Sequence, residues 1–192
     1  MLEKFKKSLE KAPVIQKESD GKIYNYFIHP ISDGIPEIDP IILEEITDYI
    51  MKTADLKADR IVTIESMGIP IATALSLKTG IAVTLIRKRK YGLPGEIELT
   101  QKTGYSGGKI YINGLKKGDR ILIVDDVVST GGTLLSLLKE AAIAGIVVTG
   151  VFCAIGRGDG KERIKKETGI DVVVLAEIDV TQKGVTVVGG VV

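Results

Sequence analysis

Two adjacent carboxylates, Asp125 and Asp126, follow the apolar run Ile121–Val124 and precede Ser129-Thr130-Gly131-Gly132-Thr133. Glycines at such a place let the chain turn tightly, so that backbone N–H groups and a helix N-terminus converge on an anion. The hydroxyls of Ser129, Thr130 and Thr133 add donors suited to a phosphate. The two carboxylates repel phosphate, but they can accept hydrogen bonds from vicinal sugar hydroxyls or help to hold Mg²⁺. Phosphate at one end and a diol at the other describe a ribose 5-phosphate. No lysine follows the glycines, so this is not a Walker A loop, and Gly156-x-Gly158-x-Gly160-Lys161 fails that pattern too.

A second chemical signal is cationic. The chain of 192 residues carries a formal net charge of only +1. Residues 78–120 nevertheless hold ten basic and three acidic side chains, a local +7. A segment of that kind is either a solvated basic face or an electrostatic site for a polyanion such as a pyrophosphate or nucleic acid. Hydrophobic residues make up 44% and charged residues 27%, which excludes wholesale disorder. One cysteine, Cys153, allows no intrachain disulfide or multi-cysteine zinc site, and its apolar strand predicts a buried core position. No apolar run reaches the roughly 20 residues of a membrane span, and no signal-peptide core opens the chain. The expectation is a cytoplasmic protein without a membrane partner.

The elements that must position these residues alternate. A short helix over 2–11 and a strand over 23–28 precede a helix that Asp39-Pro40 starts, as N-cap and first helical residue, and that runs to about residue 53. Strands are then predicted at 60–64, 82–86, 109–112, 121–124, 146–154 and 171–175. Helices are predicted at 69–78, 133–144 and 161–168, with a small hairpin involving Val180 and 185–188. Continuous apolar runs fit strands buried on both faces. The fold class is therefore α/β, a mostly parallel central sheet flanked by helices. Residues 1–58 are expected to form an N-terminal part that opens on a helix, and 59–192 the α/β core with its C-terminal hairpin.

Three motifs resemble those of the type I phosphoribosyltransferases. The Asp125–Thr133 run is similar to that family's signature for phosphoribosyl pyrophosphate (PRPP). Glu65-Ser66-Met67-Gly68 stands at a strand-to-helix junction where the family has its pyrophosphate loop. Leu85–Gly95, with Arg87, Lys88 and Lys90, resembles the corresponding stretch of adenine phosphoribosyltransferases. The resemblance covers roughly residues 23–180 and is nearest to the archaeal hypoxanthine/guanine group, built on the adenine-type framework with its small N-terminal hood. It implies transfer of phosphoribose to a purine with release of pyrophosphate, Mg²⁺ as cofactor, and a homodimer if basic residues act across an interface.

The same resemblance assigns roles. Asp125 and Asp126 would hold the ribose diol, and the metal mostly through PRPP. Ser129, Thr130, Gly131, Gly132 and Thr133 would hold the 5-phosphate. Glu65, Ser66, Met67, Gly68, Arg87, Lys88 and Lys90 would hold pyrophosphate, with Arg89 either joining them or standing as a surface charge. Gly104–Gly108 resembles a closing loop with Tyr105 in the catalytic position. Phe27 is expected to stack on the purine, and Arg157 to donate to O6. His29, the single histidine, reads as a hydrogen-bonder of the hood. Two departures matter: Met67 stands where adenine enzymes carry arginine, and Gly104 where many carry a glutamate that handles an adenine proton. The second favours a 6-oxopurine over adenine, the alternative substrate. A PRPP-sensing transcription regulator is the rival of another class, but residues 1–60 are net −3, unlike a basic DNA-binding arm, and no nucleic-acid partner is expected.

Overall fold

Strand β7 (Arg120–Val128) shows how the sheet is built. Its Leu122 and Val124 are buried on one face with Ile46, Ile71 and Leu75. Its Ile121 and Ile123 are buried on the other with Leu134 and Leu137. A strand apolar on both sides needs helices on both sides, and the computed structural model supplies them. It describes residues 1–19, 21–102 and 107–191.

The N-terminal part contains α1 (Glu3–Glu10), the hairpin β1 (Val14–Ser19) and β2 (Lys22–Phe27), the short α2 (Pro30–Asp33) and α3 (Pro40–Thr53). Asp39 caps α3 as its sequence requires, accepting from the Ile41 N–H at 2.8 Å. Beyond it come β3 (Arg60–Ile64), α4 (Gly68–Thr79), β4 (Val83–Ile86) and the hairpin β5 (Ile97–Lys102) with β6 (Gly107–Ile112). After β7 follow α5 (Gly132–Ile143), β8 (Val147–Gly156), α6 (Gly160–Thr168), β9 (Val173–Thr181) and β10 (Gly184–Gly189).

The central sheet has six strands in the order β10-β9-β8-β7-β3-β4. Every pair is parallel except β9 with β10, the expected terminal hairpin. From β3 the chain steps outward to β4 and later returns to β7 on the opposite side. The carboxyl ends of β3 and β7 therefore flank a topological switch point, where open α/β sheets bind ligands.

The N-terminal elements share the core on one face of this sheet: Phe5, Leu9 and Phe27 are buried with Leu122, Leu175 and Ile178. Fully burying such side chains contributes about 1.5–3 kcal/mol each. Sequence reading did not find β1, α2 or β5. In β5 the apolar alternation Ile97, Leu99 sits beside glycine-bearing segments that mask a period of two. Pairing with β6, Ile97 opposite Ile112, makes it a strand. Among the described residues no helix is long and apolar enough to cross a membrane.

Candidate active site

Both glycine-bearing loops lie at the switch point. After β7 the chain bends through Ser129 and Thr130 to Gly131, at φ 69°, the N-cap of α5 with no side-chain cap on its N–H groups. A side chain at Gly131 would meet the Gly160 carbonyl oxygen at 2.8 Å, and one at Gly160 would meet the Ser129 carbonyl oxygen at 2.2 Å. The loop is thus braced from behind by the start of α6. The Gly160 N–H donates to Ser129 O at 2.9 Å, and the Arg157 N–H to Val128 O at 2.9 Å. The backbone itself forms the cradle, so its geometry does not depend on side-chain rotamers.

After β3, Glu65, Ser66 and Met67 form the turn into α4, and the Glu65–Ser66 peptide is cis. α4 also starts without a side-chain cap. A Cβ at Gly68 would fall 2.0 Å from Thr63 Oγ1 and 2.7 Å from Asp125 Oδ1. Only glycine lets this helix start approach the acid pair so closely. Met67 turns the other way, its Sδ and Cε lying against Gly34 of the hood.

The two carboxylates divide their attention. Asp125 faces Gly68 and Thr63. Asp126 feels the charge of Asp33, on the hood helix α2. Burial, then the neighbouring Asp126, holds the Asp125 carboxyl well above the usual carboxylate range. Burial pushes Asp126 up to about 6. Two half-buried acids with raised proton affinity favour a ligand that donates hydrogen bonds or brings a cation. Among the described residues no group of three or more His, Cys, Asp or Glu could enclose a metal ion. A hard cation fits beside these oxygens only with further oxygens from a ligand.

Arg87–Lys90 follow β4, next to the β3 loop. The Glu65 carboxylate binds this tract: Oε2 lies 2.9 Å from Arg87 Nε, and Oε1 accepts from the Lys88 N–H at 2.5 Å. The Arg87 contact is an ion pair, since Nε is not aligned for a hydrogen bond. Arg87 also bridges to Tyr111 of β6, N–H to O at 3.0 Å and back at 2.7 Å. Lys90 pairs with Glu98 at 3.8 Å. Arg89 lies 5.7 Å from the Tyr91 ring and is exposed.

The hood is held by side-chain hydrogen bonds. Tyr26 donates to Asp33 Oδ1 at 2.6 Å, and Asp33 Oδ2 accepts from Ser32 Oγ and the His29 N–H at 2.7 and 3.0 Å. His29 Nδ1 accepts from the Ile31 N–H at 3.2 Å, which leaves Nε2 to donate to Ser8 Oγ at 2.9 Å. The ring is therefore neutral, and burial lowers its pKa to about 4. The histidine serves the hood as a hydrogen-bonder.

The purine assignments fare unevenly. Phe27 is only 5% exposed and sits in the core. Alternation along β2 puts Tyr26 and Tyr24 on the other face, and the Tyr26 phenol, its pKa pushed up by burial and by Asp33, feels the charge of Asp126. Tyr26 and Asp33 are thus the hood groups that reach toward the acid pair. The signal for Tyr26 was the period of two in Lys22–Phe27; α2, at four residues, left no signal for Asp33. Arg157 lines a small cavity of about 100 Å³ with Gly156, Lys161 and Glu177, without any hood residue. Tyr105 and Gly104 lie outside the described residues. Cys153 is fully buried beside Asp125.

A parallel sheet whose switch point joins two uncapped, glycine-bearing helix starts to an acid pair and a basic tract defines an α/β protein built for a phosphorylated sugar. The chain belongs to the phosphoribosyltransferase family: the description "Phosphoribosyl transferase domain" matches residues 37–188. A protein of Methanosarcina mazei named hypoxanthine/guanine phosphoribosyltransferase is 57% identical over 187 residues, covering 97% of this chain and 96% of its own. One of Methanobacterium lacus with the same name is 50% identical over 189 residues, covering 98% and 97%. Among solved structures, the adenine phosphoribosyltransferase of Thermoanaerobacter pseudethanolicus superimposes with a TM-score of 0.71 at 19% identity, over 92% of this chain and 99% of that one. That of Trypanosoma brucei, in complex with AMP, pyrophosphate and ribose-5-phosphate, gives 0.71 at 18%, over 92% and 79%. At such identities the two structures speak for the fold.

Proposed function

We propose that this protein transfers the 5-phosphoribosyl group of PRPP to hypoxanthine, and to guanine by the same chemistry, forming IMP or GMP in purine salvage. The observation that carries the reading is the acid pair set between two backbone cradles at one switch point. The names of relatives matching nearly the whole chain supply the base.

In this reading a purine ring nitrogen attacks the anomeric carbon of PRPP. The carbon–oxygen bond to pyrophosphate breaks, a carbon–nitrogen bond forms, and the nitrogen's proton passes to solvent or to the departing pyrophosphate. Positive charge develops on the ribose, so catalysis is mainly positioning and electrostatics. The Ser129–Thr133 loop holds the 5-phosphate at the start of α5. Asp125 and Asp126 accept from the ribose hydroxyls and fix the ring. N–H groups of Ser66–Gly68, with Arg87, Lys88 and Lys90, receive the departing pyrophosphate. Asp125 and Asp126 would help to hold Mg²⁺, whose charge would stabilise that leaving group. Tyr26 and Asp33 join the hood wall over the base, with Phe27 packed behind them. The reading also has the protein acting in the cytoplasm as a homodimer.

Pyrophosphate release measured with PRPP and, in turn, hypoxanthine, guanine, adenine, xanthine and orotate tests the proposal. Turnover of the two 6-oxopurines is expected. Turnover of adenine alone overturns the base assignment; no turnover of any base, with PRPP-sensitive DNA binding, overturns the enzyme.

A further inference from the structure

Glu65 is out of place as a pyrophosphate ligand, because a carboxylate repels a polyanion. Its side chain is 18% exposed and both its oxygens are engaged, one by Arg87 Nε and the other by the Lys88 N–H. An arginine held at Nε keeps its two terminal nitrogens free, and these form the planar fork that binds phosphate oxygens in pairs. The Arg87 side chain is 38% exposed, with no second acidic partner among the described residues. Its backbone is fixed from the other side by the two hydrogen bonds to Tyr111. The residue is thus fixed by hydrogen bonds at its backbone, drawn by charge to Glu65 at the inner edge of its guanidinium, and 38% exposed. The same carboxylate fixes the backbone of Lys88 and so the direction in which the basic tract leaves β4. Glu65 begins the loop that leads to Gly68, so it links the backbone cradle to the cationic one.

We propose that Glu65 is a positioning residue that presents the Arg87 fork to the diphosphate leaving group. The inference rests on the pyrophosphate reading of this loop. Charge alone makes the opposite prediction. Removing a carboxylate next to a polyanion site strengthens attraction for the polyanion, whereas removing a positioning group weakens binding.

The test is steady-state kinetics of Glu65→Gln, Arg87→Ala, Arg87→Lys and the double variant Glu65→Gln/Arg87→Ala. PRPP is varied in the forward direction, and pyrophosphate with IMP in reverse. For Glu65→Gln the KM for PRPP and for pyrophosphate should rise about tenfold, the loss of one charge-assisted contact. Its KM for hypoxanthine should change little, and any fall in kcat should be matched in Arg87→Ala. Arg87→Ala should give a similar or larger rise, and the double variant should be no worse than Arg87→Ala, because Glu65 acts through Arg87. Arg87→Lys, which keeps the charge and loses the fork, should resemble Arg87→Ala; this arm decides the matter even if Glu65→Gln folds poorly. An unchanged or lowered KM for PRPP in Glu65→Gln, with a raised one in Arg87→Ala, overturns the positioning role and leaves the site reading standing. A wild-type Arg87→Lys overturns it as well. If Arg87→Ala leaves both KM values unchanged, the pyrophosphate reading itself falls, and the role of Glu65 with it.

Discussion

The floor and the hood of this site are built by different means. On the floor, the loops after β3 and β7 are fixed by backbone at close approach: no Cβ fits at Gly68 or at Gly131. In the hood, the Tyr26–Asp33–His29–Ser8 network is made of side-chain hydrogen bonds. A backbone cradle suits phosphates, which every phosphoribosyl donor carries. Side chains suit the base, because one substitution can retune them without moving the chain. If this division is right, floor variants should damage handling of PRPP with any base, and hood variants should change the base with PRPP handling intact.

The largest effect is expected on the floor. Asp125→Asn with Asp126→Asn should lower kcat/KM for PRPP by roughly a thousandfold, and unchanged kinetics would remove these residues from the site. The fold should survive. Asp126 has its pKa raised to about 6, so its ionised form costs stability, and that cost appears as pH rises past the unfolded value and is complete above about 6. Thermal melting at neutral pH should therefore be no lower for the asparagine variant. A diol donates best to an ionised acceptor, and Asp126 loses its charge below about 6, so the KM for PRPP in the wild type should rise as pH falls below that value.

Gly68→Ala should come next. Its methyl would collide with Thr63 Oγ1 and Asp125 Oδ1, and the start of α4 must move away. A displacement on the order of 1 Å can cost about a hundredfold in rate. Equal loss with hypoxanthine and guanine supports the division; loss with one base only breaks it.

The sequence was most informative where backbone makes the site. A cradle at a strand end requires glycine, an apolar strand before it and a helix after it, and all three are written locally around Gly131 and Gly68. The acid pair was legible for the same reason, since it continues β7. What joins distant segments was not legible. Nothing in Glu65 announces Arg87 and Lys88 as its partners, 22 and 23 positions on, because pairing depends on β3 and β4 lying side by side. Phe27 was chosen from an aromatic cluster without a frame. The pairing of β1 with β2, and the core beneath them, turn Phe27 inward and Tyr26 toward Asp126. The helix α2 was invisible because one turn has no periodicity to read.

A smaller effect should come from the hood. Tyr26→Phe removes the hydrogen bond to Asp33 without changing ring size. One such contact changes binding by about tenfold. The KM for purine, or the ratio of hypoxanthine to guanine turnover, should shift by that much with the KM for PRPP constant. A change confined to PRPP would merge hood and floor into one unit.

The smallest effect concerns stability on acidification, where the two regions should pull in opposite directions. His29 has its pKa lowered to about 4 by burial, below its value of about 6.5 in an unfolded chain. The unfolded chain takes up this proton first, so the hood's contribution is full above about 6.5 and is lost as pH falls toward 4. The complete loss is of order 3 kcal/mol. Asp126 behaves in the reverse sense over nearly the same window, because the folded floor binds its proton more tightly than the unfolded chain. Melting temperature in the wild type should thus reflect two opposed slopes between pH 6.5 and 4, Asp125 beside Asp126 adding to the floor's. His29→Asn keeps an N-cap acceptor for α2 but removes the titration. Its melting temperature should rise on mild acidification, exposing the floor's slope. A fall as steep as or steeper than the wild type's would mean that the acid response does not come from this histidine, and that the hood's network is not what distinguishes it from the floor.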